Sequence, residues 1–149
     1  MSNNLQRILT ALVAAPIVIG LAYWGGWAFV SLVALIGVVG QVELYRMARS
    51  TGAAPNDTGG LVLGALTVAS LAWPSLWPVT AGWLVTFVVL APFLLPQTQF
   101  LPSLTTTLTG AVYPSGLLGS LVLLRTARAP SVDSTTAFWM VVLTLLLVW

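Results

Sequence analysis

Residues 27–47 read WAFVSLVALIGVVGQVELYRM. No charge appears until Glu43, and Arg46 and Arg49 follow within two turns. About twenty mostly apolar residues are what a helix needs to cross a ~30 Å hydrocarbon core, so this stretch is expected to span a membrane. Working back toward the N-terminus, the turn Gly25-Gly26 separates it from a second uncharged run, Ile8 to Tyr23, with Pro16 inside. Membrane helices tolerate such a proline. Two adjacent glycines permit a tight reversal, so the two runs are expected to form an antiparallel hairpin. A secretory signal peptide is the rival reading of 8–23, with Arg7 as its basic residue. The second span, which starts at once, and the lack of a small-x-small cleavage site favour a span.

Working forward, Ser50 to Gly60 is a polar loop in which Gly52, Pro55, Asn56, Asp57 and Gly59 are turn formers. Four more apolar runs follow. The fold class is therefore all-α: a polytopic integral membrane protein with about six transmembrane helices, near residues 8–23, 27–47, 61–76, 79–95, 104–124 and 134–149. The fifth run is the most polar, with Thr105, Thr106, Thr107, Thr109 and Ser115 beside Gly110, Pro114, Gly116 and Gly119. Small and hydroxyl residues let helices approach and hydrogen-bond, so this helix is expected to face protein more than lipid. Gly60-x-x-x-Gly64 and Ala11-x-x-x-Ala15 match the same small-residue pattern, a weak signal in so apolar a chain. The last run is short for a span, at ~24 Å for a 1.5 Å rise per residue. No cap, charge or anchor ends it. The expectation is a helix cut partway, which makes residues 1–149 the N-terminal transmembrane region of something longer. A short or tilted helix is the alternative.

Composition fixes the solvent and removes several functions. Charged residues make up 5% of the chain and hydrophobic ones 58%. A soluble domain carries about a quarter charged residues. The net charge of +2 comes from five Arg against three acids, with no basic cluster interleaved with aromatics, so no nucleic-acid partner is expected. There is no Cys and no His, which excludes disulfides, thiolate metal sites and the usual proton shuttle near neutral pH. No Gly-rich phosphate loop of the Walker type occurs. Glu43, Asp57 and Asp133 lie on different segments, so neither a metal site nor a set of catalytic residues is expected in this chain.

Alternation of the spans sorts the loops onto two sides. Arg7, the Arg46/Arg49 loop and the Gln97–Ser103 loop share one; Gly25-Gly26, the Trp-Pro loop and the Arg125/Arg128 loop share the other. Three Arg against two place the N-terminus in the cytoplasm. Trp24, Trp27, Trp73, Trp77 and Trp139 gather near the second side, as in an aromatic belt.

The candidate residues lie on the first side. Glu43 stands three residues before Arg46, so the two share a helix face and can pair. An ionisable residue in a span is a functional candidate, here for a charged lipid headgroup. Arg7, Arg46 and Arg49 suit a phosphate because the guanidinium donates in pairs. The bland reading is an interfacial ion pair that ends the helix, with arginines snorkelling to phosphates and fixing topology.

Taken together, Arg7-Ile8-Leu9-Thr10-Ala11, the run with Pro16, Gly25-Gly26 and the helix ending Glu43-Leu44-Tyr45-Arg46-Met47 resemble the start of a bacterial phosphatidate cytidylyltransferase (CDP-diacylglycerol synthase). Arg125 at the end of a fifth helix and the segment Leu145-Leu146-Leu147-Val148-Trp149 extend the likeness. The resemblance implies a multi-pass enzyme of the bacterial cytoplasmic membrane that condenses CTP with phosphatidic acid, giving CDP-diacylglycerol and pyrophosphate. It also implies a divalent metal, usually Mg²⁺, and a homodimer. The family's metal and nucleotide motifs map to no position here, so this chain alone is expected to be inactive. Two other readings stay open: a small multi-pass scaffold or transport-type protein, and a lipid enzyme of another class such as a polyprenol kinase.

Overall fold

A computed structural model describes residues 16–126 and 133–148. Arg7, Arg128, Ala11-x-x-x-Ala15 and the start of the first expected helix lie outside these residues. The described chain is helical, with no strand. Residues 16–24 form α1, followed by α2 (Gly26–Ser50), α3 (Asp57–Ala72), α4 (Trp77–Leu94), α5 (Phe100–Thr126) and α6 (Ser134–Val148). Single 3₁₀ turns, Pro74–Leu76 and Gln97–Gln99, precede α4 and α5.

The breaks have local causes. Gly25 and Gly26 have φ of 69° and 55°, a left-handed backbone open to glycine, and one non-helical residue separates α1 from α2. Trp73 is extended (φ −127°, ψ 93°), as expected of a residue before proline. The third helix starts four residues earlier than its apolar run suggests. The Asn56 side chain accepts from the Gly59 N–H at 2.7 Å and so caps a helix that begins at Asp57. Gly59 and Gly60 therefore lie in its first turn and not in the loop.

At the centre α2, α3 and α5 pack on one another; α4 lies against α3 and α6 against α5. Phe29, Val30 and Val33 of α2 meet Val68 of α3, Leu121 and Val122 of α5, Val141 of α6 and Ala22 of α1. Polarity is inverted relative to a protein in water. Gln41, Ser70, Thr80, Ser103, Thr107 and Ser115 are buried, whereas α4 exposes Val85, Val89 and Phe93, and α2 exposes Leu35 and Val39. Such continuous apolar outer faces are not stable in water. In lipid they cost nothing, and hydroxyl groups inside hold the helices together. Three helical segments, Gly26–Ser50, Pro74–Leu94 and Gln97–Thr126, are long and apolar enough to cross a membrane. Asp57–Ala72 and Ser134–Thr144 are apolar but shorter. The chain is a membrane protein.

The α6 N-terminus carries a cap that is absent from the sequence reading. The Asp133 carboxylate accepts from the Thr136 N–H at 2.8 Å. Hydrogen bonds from the Thr136 side chain and backbone hold the Asp133 carboxyl below its ordinary range. A group with a depressed folded pKa stabilises the fold above its unfolded value and loses that effect as pH falls through the folded one. The first turn of α6 is thus expected to loosen below about pH 3.9, the ordinary Asp value. A spin label at residue 135 should gain mobility there, and Asp133→Ala should show that mobility at neutral pH. Unchanged label mobility in the variant would show that this cap does not hold the turn.

Candidate functional site

The helix ends gather into two poles. At one, the start of α2 meets the ends of α1, α3 and α5 and the start of α6. Trp27 stacks on Trp73 with ring centroids 3.8 Å apart, and Tyr23 meets Phe138 edge-on at 5.6 Å. Arg125 belongs to this pole but is not free: it donates to the carbonyls of Ala22 (2.9 Å) and Tyr23 (3.2 Å). A cation on the last carbonyls of a helix complements its negative end, so Arg125 caps α1. The sequence reading has it as a loop charge at the end of the fifth helix, not as a cap.

The other pole holds the candidate residues. Glu43, Arg46 and Arg49 are all exposed near the end of α2. The expected pairing of Glu43 with Arg46 is not formed. Among the described residues the ion pair joins Arg49 to Asp57 at 2.5 Å, both partly exposed. The cause is the short connection 51–56, which brings the first turn of α3 beneath the Arg49 guanidinium. The sequence treats Asp57 as a turn former; its role as a partner appears only when the loop closes. Arg46 thus remains a cation with no carboxylate partner among the described residues.

Beneath this rim lies a buried polar junction. The Tyr45 hydroxyl donates to the Thr107 carbonyl at 2.8 Å and accepts from the Gln41 side-chain nitrogen at 2.7 Å. The Thr107 hydroxyl oxygen accepts from the Asn56 N–H, and the Ser103 hydroxyl from the Ala54 N–H, each at 3.0 Å. One side of α5 therefore fixes both the end of α2 and the loop leading to α3. Tyr45, Gln41, Thr107 and Ser103 are fully buried. The glycine pair Gly60 and Gly64 makes this possible: a Cβ on the first would overlap the Tyr45 hydroxyl, and one on the second the Gln41 carboxamide oxygen. Gln41 and Tyr45, four residues apart in an apolar helix, were a readable signal for this junction.

Beside the junction, Leu44, Met47, Ala48 and Thr51 of the α2 end face Thr105, Thr106 and Thr109 of α5 across a groove of about 380 Å³. The Thr105 and Thr106 hydroxyls donate to carbonyls one turn back, so they present acceptor oxygens to the groove. Among the described residues no three or more of His, Cys, Asp and Glu come together. With Asp57 held by Arg49, the described residues do not fit Mg²⁺.

The sequence profile of the cytidylyltransferase family matches residues 5–149. A phosphatidate cytidylyltransferase of Synechocystis sp. is 30% identical over 125 residues, covering 80% of this chain and 41% of that protein. The chain thus spans about two fifths of the length of this curated relative. No solved structure matches it. A match over nearly the whole chain, on a helical membrane protein, leads to one conclusion: the chain belongs to the cytidylyltransferase family.

Proposed function

We propose that the chain is the N-terminal membrane part of an enzyme that joins CTP to phosphatidic acid. In that reaction a phosphate oxygen of phosphatidic acid attacks the α-phosphorus of CTP. The bond to the β,γ-diphosphate breaks, giving CDP-diacylglycerol and pyrophosphate. The match to the phosphatidate cytidylyltransferase carries this reading. We place the protein in the bacterial cytoplasmic membrane as a homodimer, with six spans and a cytoplasmic N-terminus. Mg²⁺ and the residues that bind it and CTP belong to regions outside this chain.

On this reading the arginine pole faces the cytoplasm, where a water-soluble nucleotide meets a lipid headgroup while the acyl chains stay in the bilayer. Arg46 supplies the free guanidinium, Arg49 is oriented by Asp57, and Glu43 completes the described charged rim. The reading is tested by incubating the full-length protein with labelled CTP, phosphatidic acid vesicles and Mg²⁺. Labelled CDP-diacylglycerol is the expected product; none from a folded protein would contradict the reading. Arg46→Gln is expected to raise the KM for phosphatidic acid several-fold with the KM for CTP unchanged. Equal changes in both, or in neither, would remove Arg46 from headgroup binding.

A further inference from the structure

The seam between α2 and α5 holds an acceptor with no donor. Gln41 is wholly buried, and its neighbour fixes the orientation of its amide. The Tyr45 hydroxyl gives its one proton to the Thr107 carbonyl, so toward Gln41 it can only accept, and the Gln41 NH₂ must face it. The Oε1 atom is left without a hydrogen-bond partner among the described residues. Turning the amide over would set Oε1 against the Tyr45 oxygen with no proton between them. A second acceptor lies on the facing helix: Pro114, inside α5, has no N–H, so the Gly110 carbonyl lacks its helical donor. The next residue, Ser115, is buried with its hydroxyl near the Gln41 oxygen; a Cβ on Gly64 would press on both.

The junction is tight on one side and open on the other. Added Cβ atoms at Gly60, Gly64 and Gly110 would collide with Tyr45, Gln41 or Ser115. At Gly37 and Gly40 they would meet only ordinary contacts, 3.6 Å from the Ser115 hydroxyl and 3.8 Å from the Pro114 Cβ. The open side is the seam where Gly37 and Gly40 of α2 face Ser115 and Pro114 of α5. These four residues, and Gln41 and Gly110 beside them, are uncharged.

We infer that this seam holds a single water molecule, donating to Gln41 Oε1 and to the Gly110 carbonyl and accepting from the Ser115 hydroxyl. Buried waters typically make about three hydrogen bonds to otherwise unsatisfied polar groups, and these three fit its two donors and one lone pair. Ordered water is also one means by which a membrane helix interrupted by proline satisfies its freed carbonyl. The water extends the Tyr45 network to α5 on the far side of Pro114, so that both halves of α5 are hydrogen-bonded to α2.

The test is a map of the full-length protein at a resolution that shows ordered water, joined to thermal melts of Ser115→Ala, Gln41→Met and the double variant. The expected map has a peak within hydrogen-bond distance of both Gln41 Oε1 and the Ser115 oxygen. Ser115→Ala should lower the Tm by roughly 2–4 °C, the shift for about one hydrogen bond in a chain of this size, and by less than half as much in the Gln41→Met background. A map in which the Ser115 hydroxyl touches Oε1 directly, or fully additive Tm losses, would overturn the inference. If Gln41→Met does not fold, Gly37→Ala serves instead: its methyl should fill the seam and remove the peak while the fold persists. A peak unchanged in that variant would place the water elsewhere and sink the assignment.

Discussion

Gly60→Ala is expected to be among the most damaging single-methyl changes in this chain. A Cβ at that position overlaps the Tyr45 hydroxyl, which cannot retreat because it is hydrogen-bonded to both Gln41 and the Thr107 carbonyl. Overpacking of this kind costs about 1–3 kcal/mol, and more where the neighbour is fixed. In a melt of purified protein the variant should unfold well below wild type or fail to accumulate. Gly60→Ala also has a built-in control. Tyr45→Phe removes the overlapped oxygen, so the double variant should lose less than the sum of the two single losses. Strict additivity would mean that Gly60 and Tyr45 do not meet.

Tyr45→Ala carries the second large effect. The side chain is fully buried, its hydroxyl is the donor that reaches Thr107, and its ring lies against Gly110. Truncation leaves an aromatic-sized cavity where α2, α3 and α5 meet, a loss of about 3–5 kcal/mol. Tyr45→Phe keeps the ring, leaves the Gln41 nitrogen without its acceptor and removes the added bond to the Thr107 carbonyl, for a loss nearer about 1–3 kcal/mol. The ordering Ala worse than Phe, read from denaturation midpoints, separates packing from hydrogen bonding. Equal losses would show that the ring contributes little and the hydroxyl nearly everything.

The helices and the membrane were readable because their signal is local. An uncharged run such as Ile8 to Val42, a Gly25-Gly26 break and a Trp73-Pro74 break need no knowledge of the rest of the chain. The inward polarity of the fifth helix was readable in part: Thr107 and Ser115 are buried as expected, whereas Thr105 and Thr109 are exposed. What escaped was set by contacts between distant segments. Asn56 looks like a turn residue and is one, but its oxygen also starts α3. Gly59 was read as a turn former, whereas Phe87 occupies the space its side chain would need; Gly60 was read as the loop end and, with Gly64, as a weak packing pattern, and Tyr45 packs against it. Spacing alone favoured Glu43 as the partner of Arg46. The pair that forms, Arg49 with Asp57, depends on how tightly residues 51–56 turn. Arg125 looks like a topological charge and instead caps a helix about a hundred positions earlier in the chain.

The proposed orientation puts the two poles on opposite sides of a bilayer, with the arginine pole in the cytoplasm. The chain has no cysteine, so single cysteines can be placed cleanly, with any in the rest of the protein changed to Ser. Thr51→Cys marks the arginine pole and Ser75→Cys the tryptophan pole. In intact cells a membrane-impermeant maleimide should label residue 75 at once, and residue 51 only after the membrane is opened. Labelling of both from the same side would contradict the bilayer-spanning arrangement, and the reverse pattern would place the headgroup residues away from CTP.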